Sequence, residues 1–151
     1  MVGMSVVTLM VAACLGVAFM ARIQDTKTRD LGIVTDFAVH YLELVRAMEF
    51  DDLRPGAPIN RLYDGAGGAP LIPIPTTAAW TPIDSAAYQA FHPDLVWLTN
   101  RSLEMKCDLV FGTNAGRLTT KHLALQLRWL PPLSVGSTQS FRLDLLRARD
   151  S

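Results

Sequence analysis

Residues 1–21, MVGMSVVTLMVAACLGVAFMA, contain no charged side chain, whereas residues 31–48, LGIVTDFAVHYLELVRAM, mix apolar and polar positions in steps of three and four. How these two stretches join decides the fold. No proline occurs before Pro55, so nothing breaks a helix between them. The first stretch has the ~20 apolar residues that a helix needs to cross ~30 Å of hydrocarbon. In the second, Leu31, Val34, Ala38, Tyr41, Val45 and Met48 form one stripe, widened by Phe37 and Leu44, with Asp36, His40 and Glu43 on the opposite side. That is the pattern of an amphipathic helix seeking a partner. Gly32 costs such a helix about 1 kcal/mol relative to Ala, which weakens it without ending it. Asp51, Asp52 and Arg54-Pro55-Gly56 supply the stop. The spacing therefore predicts one helix from about Met4 to about Glu49, roughly 70 Å long. Its first half sits in lipid and its second half covers a domain in water.

Working outward, residues 54–94 hold seven of the nine prolines and the run Asp64-Gly65-Ala66-Gly67-Gly68, which predicts a long irregular excursion. A helical turn is expected over Asp84–Phe91, capped by Asp84 or Ser85. Beyond it the period changes to two. Leu103–Phe111, His122–Trp129 and Gln139–Leu146 each alternate apolar and polar residues, as strands with one buried face do. Gly112–Lys121 and Pro131–Thr138 read as their connectors, and Leu95–Thr99 as a further strand. The apolar face of this antiparallel meander needs a cover, and the Leu31–Met48 stripe is the only long one. The expected fold is α+β, a long N-terminal helix on a small antiparallel sheet. Its parts are residues 1–21 (membrane half), 22–53 (amphipathic half), 54–94 (Pro/Gly-rich loop) and 95–151 (sheet).

Fourteen basic side chains balance fourteen acidic ones, which removes the electrostatic case for direct nucleic-acid binding. Cys14 and Cys107 make no disulfide scaffold; Cys14 falls mid-membrane, and Cys107 falls on the apolar phase of its strand, as a small core residue does. His40 with Asp36 and Glu43 offers metal-ligand chemistry on a helix, but a solvated helix face accounts for the same residues. His92 reads as a loop residue and His122 as an outward strand residue. Asp64, Asp84 and Asp94 lack the dense oxygen pattern of a calcium loop and read as turn formers. The glycine run is followed by no Lys-Ser/Thr, so it is not a phosphate loop. Trp80, Tyr88, Phe91 and Trp97 form either a binding surface or the core beneath the loop. No nucleophile, base and oxyanion donor are brought together by pattern, so no enzyme, metal or cofactor is expected.

The order of charges around the apolar run is unusual. No Lys or Arg precedes it, while Arg22, Lys27 and Arg29 follow it, mixed with Asp25 and Asp30. The positive-inside rule, applied literally, keeps the rest of the chain in the cytoplasm. A charged leader ahead of this sequence, or a dedicated processing route, reverses that reading. No small-residue cleavage pattern closes the run, so the helix is expected to be retained.

A retained membrane helix at the N-terminus of a small antiparallel sheet resembles the type IV pilin and pseudopilin superfamily. In that family a leader ending in Gly is clipped by a prepilin peptidase and the new N-terminus is methylated. Gly3, followed by Met4-Ser5-Val6-Val7-Thr8-Leu9-Met10-Val11-Ala12, is similar to that junction. Met4 stands where Phe is usual, and Thr8 where most members carry a Glu that pairs with a neighbour's terminal amine. A minority of members, including minor tip subunits, also lack the Glu. Phe37–Phe50 resembles the helix-end pattern of minor pilins and I-type pseudopilins, and Leu125–Trp129 with Phe141–Leu146 resembles their closing hairpin. The resemblance implies cleavage and methylation at Gly3 and Met4, and assembly through Thr8, at the position of the family's Glu, and through Ala12 and Gly16, small residues that let helices approach closely. It further implies other pilin-like subunits, a prepilin peptidase and an inner-membrane assembly platform as partners. The implied location is the bacterial inner membrane, single-pass, with the sheet periplasmic or extracellular. The rival expectation is a bitopic membrane protein whose soluble part recruits a partner without polymerising.

Overall fold

The computed structural model describes residues 2–59, 72–133 and 136–149; the side chains of residues 1–6 and of Thr8 lie outside the described set, as does the Asp64–Gly68 run. One helix, α1 (Val2–Ala47), takes the whole N-terminal third. Its buried face is Val34, Phe37, Ala38, Tyr41, Leu44 and Val45. Leu31, expected in that stripe, is exposed, and its place on the phase is taken by Asp30, which is buried. The stripe packs on a four-stranded antiparallel sheet of order β1-β2-β3-β4, formed by β1 (Thr81–Pro82), β2 (Glu104–Asn114), β3 (Arg117–Trp129) and β4 (Gln139–Ala148). The α+β layout expected from the two periods is thus present, with a minimal fourth strand supplied by the loop.

The strand register explains the core. Met105 faces Leu127, Cys107 faces Leu125 and Leu109 faces Leu123, while Leu125 faces Leu143 and Leu127 faces Phe141. These pairs share the face turned to α1, and with Trp129 they close on Phe37, Tyr41 and Val45. Leu53, after the end of α1, and Ile59, Ile72, Ile74 and Ile83 of the loop join the same core. The loop's two arms are tied by Ile59 N–H to the Ile72 carbonyl at 2.9 Å and Ile74 N–H to the Ala57 carbonyl at 2.8 Å.

Two expectations need correction. The Gly112–Lys121 connector is almost all strand: β2 and β3 run on to a two-residue turn at Ala115 (φ 50) and Gly116 (φ 76). Positive φ at both positions is the turn whose twist matches a hairpin. The period-two signal fades there because Thr119 is an extra residue opposite Gly112 and Thr113, and its hydroxyl bonds the Gly112 carbonyl at 3.4 Å. Leu95–Thr99 is no strand. It belongs to a 3-10 helix, Pro93–Arg101, with Pro at its start and Leu95 and Leu98 buried at the three-residue period of that helix. The expected turn over Asp84–Phe91 is the short helix α2 (Ala86–Phe91); Ser85 holds the cap position with no side-chain cap bond.

Two clasps fix α1 along the sheet. At one end the Arg101 Nε–H donates to Asp30 Oδ2 at 3.0 Å, and the Leu130 N–H donates to the Arg101 carbonyl at 2.7 Å. At the other end the Lys121 ammonium donates to the carbonyls of Phe50 and Leu53. Arg147 adds a bond to the Met48 carbonyl, and Arg149 pairs with Asp51 at 2.9 Å. From Asp30 to its end at Ala47, α1 climbs about 26 Å, and from Lys121 to Trp129, β3 descends about 26 Å. β3 therefore runs antiparallel to α1 over a matched length.

Candidate functional site

Below the clasp at Asp30, the Arg29 guanidinium lies over the Trp97 ring, and α1 then continues beyond the sheet. Leu9–Ala21 are exposed without exception, and the helix is long and apolar enough to cross a membrane. The backbone there satisfies itself, and in the polar turn above, the Thr26 and Thr28 hydroxyls donate back to the Arg22 and Gln24 carbonyls at 2.8 and 3.0 Å. What remains is apolar surface. Leaving Leu9, Met10, Leu15, Phe19 and Met20 in water forgoes on the order of 10 kcal/mol of burial, so this segment needs lipid or another helix. Ala12 and Gly16 are exposed on it, and Ala13, Gly16, Val17 and Met20 line a shallow apolar groove. A Cβ added at Gly16 meets nothing within 4 Å. α1 runs through Gly3, Met4 and Thr8, whose side chains lie outside the described residues.

The polar residues considered for chemistry fall into separate settings. His40 is half-buried and stacked on Phe91 at 4.7 Å, so it is not the fully solvated residue expected on that face; Asp36 and Glu43 are exposed. His92, expected in a loop, is buried where α2 meets the 3-10 helix. Its Nε2 lies 3.4 Å from Asp36 Oδ2, and its Nδ1 has no hydrogen-bond partner among the described residues. Among the described residues no three His, Cys, Asp or Glu side chains converge as a metal site. His122 faces outward on β3 and meets Asp144 at 2.9 Å. Arg142 donates to both oxygens of Asp144 and, with His122, holds that carboxyl below the ordinary range. Asp84 and Asp94 are exposed.

Cys107 is buried, and desolvation, reinforced by Asp108, pushes its thiol up to about 12 against a small opposing effect of the Tyr41 hydroxyl. Such a thiol is inert at neutral pH. Of the four aromatic residues in question, Tyr88 and Phe91 pack against the core beside Phe37, and Trp80 lies under the Arg128 guanidinium at 4.2 Å. Trp97 alone among them is an exposed ring.

Sequence periodicity missed the two buried charges. Asp30 precedes Val34, Phe37 and Tyr41 on the buried phase of α1, and Lys121 precedes Leu123, Leu125 and Leu127 on the core phase of β3. Extending either period by one step finds them. Burial lowers the Lys121 pKa from the ordinary lysine range, against the pull of Asp51.

In comparisons with known proteins, no family model matches the chain, and no curated protein or solved structure matches it with significance.

Proposed function

We propose that this chain is a non-enzymatic, pilin-like minor subunit of a type IV pilus, type II secretion or DNA-uptake filament, anchored and assembled through α1. The observation behind the reading is the continuity of that helix. A bare apolar half runs without a break into a half locked on an antiparallel sheet. The same surface then serves twice, in lipid before assembly and in a helical core of related subunits after it. Ala12, Gly16 and the groove beside Val17 and Met20 allow close helix approach at that stage. Thr8 stands where the usual Glu would be and brings no charge, so in this reading register comes from shape more than from charge. Other pilin-like subunits, a prepilin peptidase and an inner-membrane platform are the partners, and the sheet lies outside the cytoplasm.

The second reading, a bitopic protein that recruits a partner and never polymerises, is favoured by Arg22, Lys27 and Arg29 directly after the apolar run, which place the sheet inside by the charge rule. Intact mass and N-terminal sequencing of the protein from its native membrane separate the two. A chain beginning at Met4 and heavier by one methyl group supports the filament subunit. A chain that keeps Gly3 and everything before it refutes the subunit and leaves the tethered recruiter.

A further inference from the structure

The 3-10 helix brings an exposed apolar pair to the end of the domain where α1 leaves the sheet. Val96 is 54% exposed and Trp97 61% exposed, on a segment whose other apolar residues, Leu95 and Leu98, are buried. The Trp97 ring lies 5.5 Å from the Arg29 guanidinium. The β3–β4 connection leaves the sheet at the same end, since Leu130 is bonded to Arg101, and three residues on it presents Leu133, 69% exposed. The stretch of α1 between the apolar run and the buried Asp30 carries Arg22, Lys27 and Arg29 against Asp25 alone. Asp94, one turn before Trp97, is the acid at the start of the 3-10 helix.

We infer that this end of the domain is a membrane-seated foot, in which Trp97 and Val96 enter the interfacial layer and Arg22, Lys27 and Arg29 meet anionic phospholipid headgroups. The inference rests on α1 being the membrane anchor. Distance supports it. Arg29 is about 12 Å along the helix from Ala21, and side chains on a helix lean back over the preceding turn, so its guanidinium and the ring beneath it stand roughly 6 Å above the end of the apolar run. The headgroup layer is ~5–8 Å thick on each side of the hydrocarbon, so the ring falls within it. A tryptophan with an apolar body and one N–H donor is suited to that layer, and an excess of cations beside it matches a negatively charged surface. The foot is also rigid: the Asp30–Arg101 clasp holds the last residue of the 3-10 helix to α1. The anchor and the foot thus grip the bilayer at two points and set the tilt of the domain over it.

The full chain is reconstituted into vesicles of phosphatidylcholine with or without phosphatidylglycerol, floated on a density gradient, and its fluorescence quenched with brominated phospholipid. The difference between wild type and Trp97→Phe isolates Trp97 from Trp80 and Trp129. We expect both proteins to float, and the Trp97 emission to be blue-shifted and largely quenched. Quenching should be severalfold stronger with phosphatidylglycerol than without, and Arg29→Gln should remove part of that difference. Flotation with an unquenched Trp97 overturns the foot and keeps the anchor. Quenching indifferent to phosphatidylglycerol overturns the recognition of anionic headgroups. Shielding of Trp97 that rises with protein density and ignores bromine assigns the face to a second copy of the chain and overturns the proposal. A chain that does not float overturns the anchor and the foot together, and flotation is scored before any quenching is read.

Discussion

Replacing Arg101 by Met tests whether the lower clasp holds the domain on its helix. Asp30 is wholly buried, and its Oδ2 receives the Arg101 Nε–H at 3.0 Å, while its Oδ1 has no hydrogen-bond partner among the described residues. Removing the guanidinium leaves a buried carboxylate with no cation. Uncompensated charges of this kind cost about 3–5 kcal/mol. Arg101 keeps 23% of its side chain exposed, so some water can follow the deletion, and the lower end of that range, about 3 kcal/mol, is expected. At a urea dependence of ~2 kcal/mol per molar, the unfolding midpoint of the full chain in non-ionic micelles should fall by about 1–2 M. The double variant Asp30→Leu/Arg101→Met removes both charges and should return to within ~1 kcal/mol of wild type. An Arg101→Met protein that unfolds at the wild-type midpoint, or a double variant no better than the single one, would refute the account of this clasp.

Lys121→Met keeps the stem in the core but strips two main-chain carbonyls of a charged donor; a loss of about 2–4 kcal/mol is expected by the same urea titration, offset in part by the desolvation of the ammonium. Cys107 should resist alkylation. With its thiol near 12, the thiolate fraction at pH 8 is ~10⁻⁴, about a thousandfold below that of a free cysteine, so labelling should track unfolding in a mass-spectrometric time course. The same shift has a sign for stability. The thiol is held in its protonated form by the fold, so its contribution is whole below pH 9 and is lost as pH rises from 9 towards 12, which the Cys107→Ala variant should not show in alkaline unfolding curves. Finally, Asp at Val11 or Gly16 should abolish co-assembly in a pull-down of related subunits while leaving the tryptophan fluorescence of the sheet unchanged. Assembly that survives both substitutions would refute packing through α1.

The helix and the sheet were legible in the sequence for plain reasons. An uninterrupted proline-free run and a clean three-four stripe left no alternative to α1, and strict alternation in Leu123–Trp129 named the central strand. The signal failed where an element lacks a simple period. Around Thr119 the extra residue shifts the phase, so Gly112–Lys121 looked like connector although it is hairpin. In Leu95–Thr99 four neighbouring apolar residues mimicked a strand, while burial at His92, Leu95 and Leu98 repeats every third residue. β1 is two residues long and has no pattern to read. The candidate surface on residues 7–21 is legible because it is defined by the absence of charge. The place of Trp97 is not, because it depends on how a 3-10 helix docks beside Arg29.

The matched run of α1 and β3, clasped at both ends, also decides how the domain bears load. A pull on the anchor along the helix axis, against a hold on the sheet, slides α1 past β3 in shear. The clasps at Asp30 and at Phe50 and Leu53 then share the force with every side chain of the stripe between them, and no bond is opened one at a time as in peeling. Drawn along by its helix, the domain therefore travels with α1 as one piece.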